Sequence, residues 1–181
     1  MKLRLLAIGA CAALGACADI YPEEGPPPPP PPREAPPAVR PGPAFSPSEF
    51  DWSTQRGQGA IRGVVDYSQG GRKYACAGQA VLTPDAPYSR RRIEQLYGSS
   101  ERAALPVEEV RARQAHRPSD DYSAYVRKAT CDAGGRFSFA GLPSGGWFVI
   151  VVAQPPGGGA PMALMRRVET RGPGLRNVIL Q

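Results

Sequence analysis

Seven consecutive prolines, Pro26 to Pro32, constrain this chain more than any other feature. A run without backbone N–H donors can enter neither a helix interior nor a central strand. It forms instead an extended polyproline II rod, with no internal hydrogen bonds and a rise of about 3.1 Å per residue. The prolines are segregated, 13 of 22 lying in the 26 residues from Pro22 to Pro47, which leaves the remainder of a chain that is 41% apolar free to build a core. With 181 residues in all, one medium domain with appendages is expected. From Tyr21 to Ser46 a fully extended arm would reach on the order of 80 Å, a spacer able to hold a folded domain away from its point of attachment. The alternative for such a rod is a docking track for an aromatic groove.

Upstream, Met1-Lys2-Leu3-Arg4 is basic and Leu5 to Ala13 is an apolar run broken only by Gly9, the layout of a secretory signal and too short for a membrane span. Leu14-Gly15-Ala16-Cys17 resembles a bacterial lipobox. That resemblance implies cleavage after Ala16, diacylglycerol on the Cys17 sulfur and acylation of the freed amine, and two or more acyl chains anchor a protein stably. Ile8-Gly9-Ala10-Cys11 also fits, but would leave only about half the usual apolar stretch before the cut. Ala18 follows the modified cysteine where inner-membrane retention favours Asp, so the expected address is the outer membrane, in the cell envelope. The expected organisation is a signal peptide over 1–16, a lipidated and disordered Pro-rich linker over 17–56, and a folded domain over 57–181.

Beyond Pro47, short apolar runs alternate with Gly and Pro, the pattern of an all-β sandwich. Seven strands are predicted: Ala60 to Tyr67, Gly78 to Thr83, Tyr122 to Thr130, Arg136 to Ala140, Trp147 to Ala153, Met162 to Thr170 and Leu175 to Leu180. Phe137 and Phe139 alternate with Arg136 and Ser138, giving one apolar face. Trp147-Phe-Val-Ile-Val-Val-Ala153 is apolar on both faces, which predicts a central strand covered above and below.

The stretch Thr130-Cys-Asp-Ala-Gly-Gly-Arg-Phe-Ser-Phe-Ala-Gly-Leu-Pro-Ser-Gly-Gly-Trp147 resembles the carboxypeptidase regulatory-like domain, with its Asp, Gly turn, Phe-x-Phe and Leu-Pro-x-Gly before an aromatic strand. Gly59-Ala-Ile-Arg-Gly-Val-Val65 looks like the first strand of the same family. The resemblance implies a seven-stranded transthyretin-like β-sandwich that is an accessory module without zinc ligands. Gly134-Gly135 is expected to supply the positive φ angles of a hairpin turn.

Of four cysteines, Cys11 would leave with the signal and Cys17 would take lipid, so Cys76 and Cys131 remain. In an oxidising compartment two such thiols pair, and a disulfide between them is expected. Without a Cys-x-x-Cys motif, and with His116 the single imidazole, neither a metal site nor a cofactor is expected.

The sandwich does not require residues 88–121, read as a helical insertion. Ser89 can cap a short helix carrying Ile93, Leu96 and Tyr97 on one side, and Pro106 suits the first turn of another running to about Ala115. Seven arginines face six acids there, so Arg90-Arg91-Arg92 does not make a nucleic-acid site, and i,i+4 pairs such as Glu109 with Arg113 read as a solvated face. Tyr88, Tyr97, Tyr122 and Tyr125 with Arg90, Arg91 and Arg92 form a candidate surface for glycans or lipopolysaccharide phosphates. The formal net charge is +6, and +4 once Lys2 and Arg4 are removed, which gives mild attraction to anions and nothing specific.

No catalytic residues are assigned. His116, Ser119 and Asp120 are neighbours in sequence, which does not make them face one another. An isopeptide crosslink from Lys73 or Lys128 to Asn177, the single Asn, is a further option of some related sandwiches. The leading expectation is a non-catalytic envelope lipoprotein, held to the membrane by its lipid and contacting an envelope protein or a glycan. A small hydrolase acting on envelope polymers and a purely structural spacer are the alternatives.

Overall fold

The computed structural model describes residues 44–115 and 122–181. Ala16, Cys17, the proline run, His116, Ser119 and Asp120 lie outside the described residues. The domain is two β-sheets with helices on one outer face. In chain order a 3-10 turn, Pro47–Glu49, leads to α1 (Asp51–Thr54), β1 (Gly59–Val65), β2 (Tyr67–Gln69), β3 (Arg72–Pro84), α2 (Pro87–Tyr97), β4 (Arg102–Pro106) and α3 (Val107–Ala115). A second 3-10 turn, Ser123–Tyr125, then precedes β5 (Arg127–Thr130), β6 (Arg136–Leu142), β7 (Gly145–Gln154), β8 (Met162–Thr170) and β9 (Gly174–Leu180).

β1 is the centre of a three-stranded sheet, antiparallel to β6 and parallel to β9. The larger sheet has the order β2-β3-β7-β8-β4, with β5 alongside the second half of β3. β7 decides the layering. Trp147, Val149, Val151 and Ala153 point between the sheets, where they meet Ile61, Leu82, Phe137, Phe139, Leu142, Leu164, Val178 and Leu180. The alternate residues Phe148, Ile150 and Val152 point the other way, under Ile93, Leu96 and Tyr97 of α2 and Val107 and Val110 of α3. The period of two in a strand requires this division, and a strand apolar at every position needs cover on both sides. β8 repeats the arrangement, with Met162 and Leu164 inward and Ala163 and Met165 under the helices.

Each of the seven expected strands overlaps an observed one, but the described residues hold nine, so the expected count is not met. β2 is a three-residue strand that pairs with β3 through a turn at Gly70 and Gly71, with φ of 58° and 75°, as a tight hairpin turn requires. β4 lies inside the expected helical insertion and pairs antiparallel with β8. Its Arg-Ala-Ala-Leu-Pro sequence has weak strand preference and ends in Pro, which only an edge strand tolerates. The strand expected from Tyr122 does not start there: Ser123–Tyr125 form the 3-10 turn instead, and β5 begins at Arg127. The Gly134-Gly135 turn connects β5 of the large sheet to β6 of the small one, so it is a crossing rather than a hairpin, and only Gly135 has positive φ, at 70°. Asp132 Oδ1 shapes that turn by accepting from the Gly134 and Arg136 N–H groups, each at 2.8 Å.

Residues 44–56, expected as linker, are packed on the sandwich. Phe50 is fully buried, and Trp52 meets Trp147 edge to face with centroids 5.0 Å apart. The Arg127 guanidinium donates to the Ser53 carbonyl at 2.8 Å, and the Gly57 N–H donates to the Gly141 carbonyl at 3.2 Å. A Cβ at Gly57 would sit 2.0 Å from the Leu142 carbonyl oxygen, so this approach is open only to glycine. Burial of aromatic area outweighs the turn-rich, Pro-flanked character that made the segment read as linker.

Cys76 of β3 and Cys131, just past β5, form the expected disulfide, with Cα atoms 6.3 Å apart. Asn177 and Lys128 are exposed on strands of different sheets, and Lys73 is exposed beside the β2–β3 turn. A crosslink of the buried kind has no such setting there.

Replacing Cys76 and Cys131 together by Ser should lower stability by about 4 kcal/mol on the chain-entropy account, and denaturant melts in parallel with the parent protein measure it. At Gly63 a Cβ would lie 2.0 Å from the Phe137 ring. Gly63→Ala should therefore cost about 1–3 kcal/mol through overpacking, read as a lowered midpoint in the same melts.

Candidate functional site

α2 organises the candidate site. Pro87 starts it, with a preset φ and no N–H to leave unsatisfied. Ser89 is not the cap itself: Ala86 holds that position, and Ser89, three residues on, accepts from the Ala86 N–H at 2.9 Å and donates to the Pro84 carbonyl. Gly98 closes the helix in the left-handed conformation with φ of 74°. Ile93, Leu96 and Tyr97 face the sheet, as their spacing predicted.

The seven expected surface residues separate into three groups. Tyr88, Tyr122 and Tyr125 come together, each half-buried, around Phe45 and Phe50. Phe45 meets Tyr88 edge to face at 5.5 Å, Tyr88 meets Tyr122 likewise at 5.8 Å, and Phe50 lies 5.9 Å from Tyr122 and 4.9 Å from Tyr125. The 3-10 turn at Ser123–Tyr125 places the last two rings, while Phe45 and Phe50 arrive from the amino-terminal segment. Burial raises the Tyr122 phenol above its ordinary value, against the opposing pull of the Arg92 charge.

Arg92 and Tyr97 form the second group, and both are buried. Tyr97 belongs to the layer under the helices, where desolvation, reinforced by Tyr122, pushes its phenol up to about 12. These two residues support the site from behind.

Arg90 and Arg91 form the third. Arg90 pairs with Asp85, which also takes the Arg167 Nε–H at 2.6 Å, so one carboxylate ties α2 to β8. The Asp85 side chain is only 2% exposed, and its Oδ1 has no hydrogen-bond partner among the described residues. The hydrogen bond to Asp85 raises the Arg167 pKa, partly opposed by desolvation. Arg91 is free of that cluster. With Pro87, Arg90, Glu94 and Gln95 it lines an open groove of about 630 Å³ along the outer side of α2. Tyr88 precedes Arg91 by three residues and Gln95 by seven, so at helical spacing it borders the same stripe.

The arrangement offers the half-buried Tyr88 ring, a guanidinium, a carboxylate and a primary amide on one helix, with the Tyr122 ring against Tyr88. Its openness suits an extended polar chain lying on the surface, whereas enclosed pockets suit compact apolar ligands. Among the described residues no group of three His, Cys, Asp or Glu side chains could hold a metal ion. Phe45, Phe50, Asp85 and Arg167 were not anticipated as parts of this region. An aromatic pair inside a presumed linker was the signal for the first two. Asp85 and Arg167 are 82 residues apart, and nothing local in the sequence links them.

No family model matches the chain, and no curated protein matches it. Solved structures similar to the chain include the following two. One is from Pseudomonas aeruginosa, a protein provisionally described as carbohydrate-binding. It is 23% identical with a TM-score of 0.53, over 77% of this chain and 98% of that one. The other is the pilus backbone protein of Streptococcus pneumoniae, at 16% identity and a TM-score of 0.32, over 67% of this chain and 40% of that one. Both are β-rich, and the first shares the fold of this domain.

Asp85→Ala leaves two guanidiniums without their acid, but both have access to solvent. The expected loss is about 1–3 kcal/mol, measured by denaturant unfolding. Tyr97 titrates above the ordinary value of 10.0 in the folded protein. Its contribution is complete below that pH and is lost as pH rises toward 12, because the unfolded chain gives up the phenolic proton first. Tyr97→Phe should flatten the fall in melting temperature over that alkaline range.

Proposed function

We propose that this protein is a non-catalytic lipoprotein of the bacterial outer membrane, anchored through acylated Cys17, whose β-sandwich binds an envelope glycan at α2. The observation that supports the glycan reading is Tyr88, half-buried against the Tyr122 ring and at helical spacing from Arg91 and Gln95 of the open groove. Sugar rings present an apolar face that stacks on aromatic side chains and a rim of hydroxyls that paired donors and acceptors recognise. The shared fold with a protein described as carbohydrate-binding is compatible with this reading.

The proposal includes the finer family identity. Phe137-Ser-Phe139 supplying inward rings, and Leu142-Pro143 turning the chain before the central Trp147 strand, agree with a carboxypeptidase regulatory-like module of the transthyretin type. The Pro-rich arm would then set the distance between lipid and domain.

Calorimetric titration of the purified chain with defined oligosaccharides of the cell wall and of lipopolysaccharide tests the glycan claim. At least one should bind. Arg91→Ala, which removes no packing from the core, should weaken it by about tenfold, equivalent to 1.4 kcal/mol. Binding by none, or equal binding by the parent and Arg91→Ala proteins, contradicts it. The anchor is checked separately by the mass of the mature amino terminus, which should begin at Cys17 and carry acyl chains.

A further inference from the structure

The outer face of the three-stranded sheet has a chemistry unlike that of α2. The registers of β1 with β6 and β9 set Ser138, Arg62 and Asn177 side by side across the sheet. One step along, Arg136 and Ile179 flank Val64, and on the opposite side Leu175 lies beside Ala60. Leu175 and Ile179 are 46% and 47% exposed, the only large apolar side chains so open among the described residues. Their neighbours Val178 and Leu180 point into the core, so exposure here follows from strand alternation.

Arg62 and Arg136 are exposed and, among the described residues, neither joins an ion pair. They occupy diagonal positions on adjacent strands, about 7–8 Å apart for such neighbours, where like charges repel. Asp132 borders the same 410 Å³ groove as Arg62 and Arg136, and its Oδ1 is engaged by two backbone N–H groups. The face is therefore apolar and positively charged at once. Among the described residues its outward strand positions carry no aromatic ring, and Phe137, at the floor of the groove, is only 3% exposed and belongs with Phe139 to the core.

We propose that this face is a second docking surface, taking an acidic protein surface: Leu175 and Ile179 supply aliphatic contact, Arg62 and Arg136 bind carboxylates, and Ser138 and Asn177 hydrogen-bond between them. Aliphatic side chains beside guanidiniums match a partner bearing both apolar and acidic side chains. A polysaccharide would find no ring to stack on, and a second copy of this chain would bring arginine against arginine. The inference is independent of glycan binding at α2.

The probe is a synthetic amphipathic helix with Leu along one side and Glu along the other, titrated into the isotopically labelled full chain and followed by amide NMR shifts. Its Lys-for-Glu counterpart and polygalacturonate, an acidic polysaccharide, serve as comparisons. The Glu peptide should shift the amides of Arg62, Asn177 and Ile179, and the Lys peptide should not. Arg62→Glu with Arg136→Glu should weaken binding by at least about tenfold, Ile179→Gln should weaken it detectably, and Arg91→Ala should leave it unchanged. Should the double charge variant fail to fold, Arg62→Gln carries the same test alone. The proposal is overturned by the absence of shifts at millimolar peptide, by shifts centred elsewhere, or by equal binding of the Lys peptide. Stronger binding of polygalacturonate at the same amides, or concentration-dependent shifts of these amides without peptide, would equally overturn it in favour of a glycan or of self-association.

Discussion

Burial of both faces of β7 is the constraint on which the rest of the domain depends. Trp147, Val149, Val151 and Ala153 fix the small sheet against the large one, while Phe148, Ile150 and Val152 require a further layer. Left uncovered, that second row would expose several large apolar side chains on one sheet face, which soluble domains avoid. α2 and α3 are therefore structural in the first instance. The same helices that cover Phe148 place Arg91, Glu94 and Gln95 at the surface, so the candidate groove is a by-product of the core requirement turned outward.

The amino-terminal segment extends this logic. Phe50 and Trp52 attach residues 44–57 to two places at once, the tyrosine cluster and the Trp147 side of the core. Arg127 strengthens the attachment, since its guanidinium both donates to Ser53 and lies 5.6 Å over the Trp147 ring. The tyrosines singled out as a binding surface thus hold the chain down with part of their area and face outward with the remainder. Two faces of opposite character result, one aromatic and mixed in charge, the other aliphatic and basic.

What the sequence made legible was what local pattern controls. Alternation revealed β6, an apolar run revealed β7 as central, and the helical spacing of Ile93, Leu96 and Tyr97 found α2. The pairing of Cys76 with Cys131 followed from the compartment expected for the chain and the elimination of the other two cysteines. Elements fixed by distant partners were hidden: β4 is a strand because β8 offers an edge, and its own residues carry little preference. Phe45 and Phe50 sit in Pro-flanked sequence whose burial depends on Tyr88, Tyr122 and Tyr125, some 38 to 80 residues away. Asp85 carries no local signal of its role, and only the arrival of Arg167 from β8 makes it a tie between helix and sheet.

The central claim is that α2 is an integral layer on β7 and hence a rigid platform, rather than a detachable insertion. Native-state hydrogen exchange, residue by residue, tests it most directly. Amides of α2 from Arg91 to Tyr97 should open with free energies approaching those of Val149 to Val152, because losing the helix uncovers Phe148 and Ile150. Exchange of α2 orders of magnitude faster than β7, with β7 still fully protected, would contradict the account.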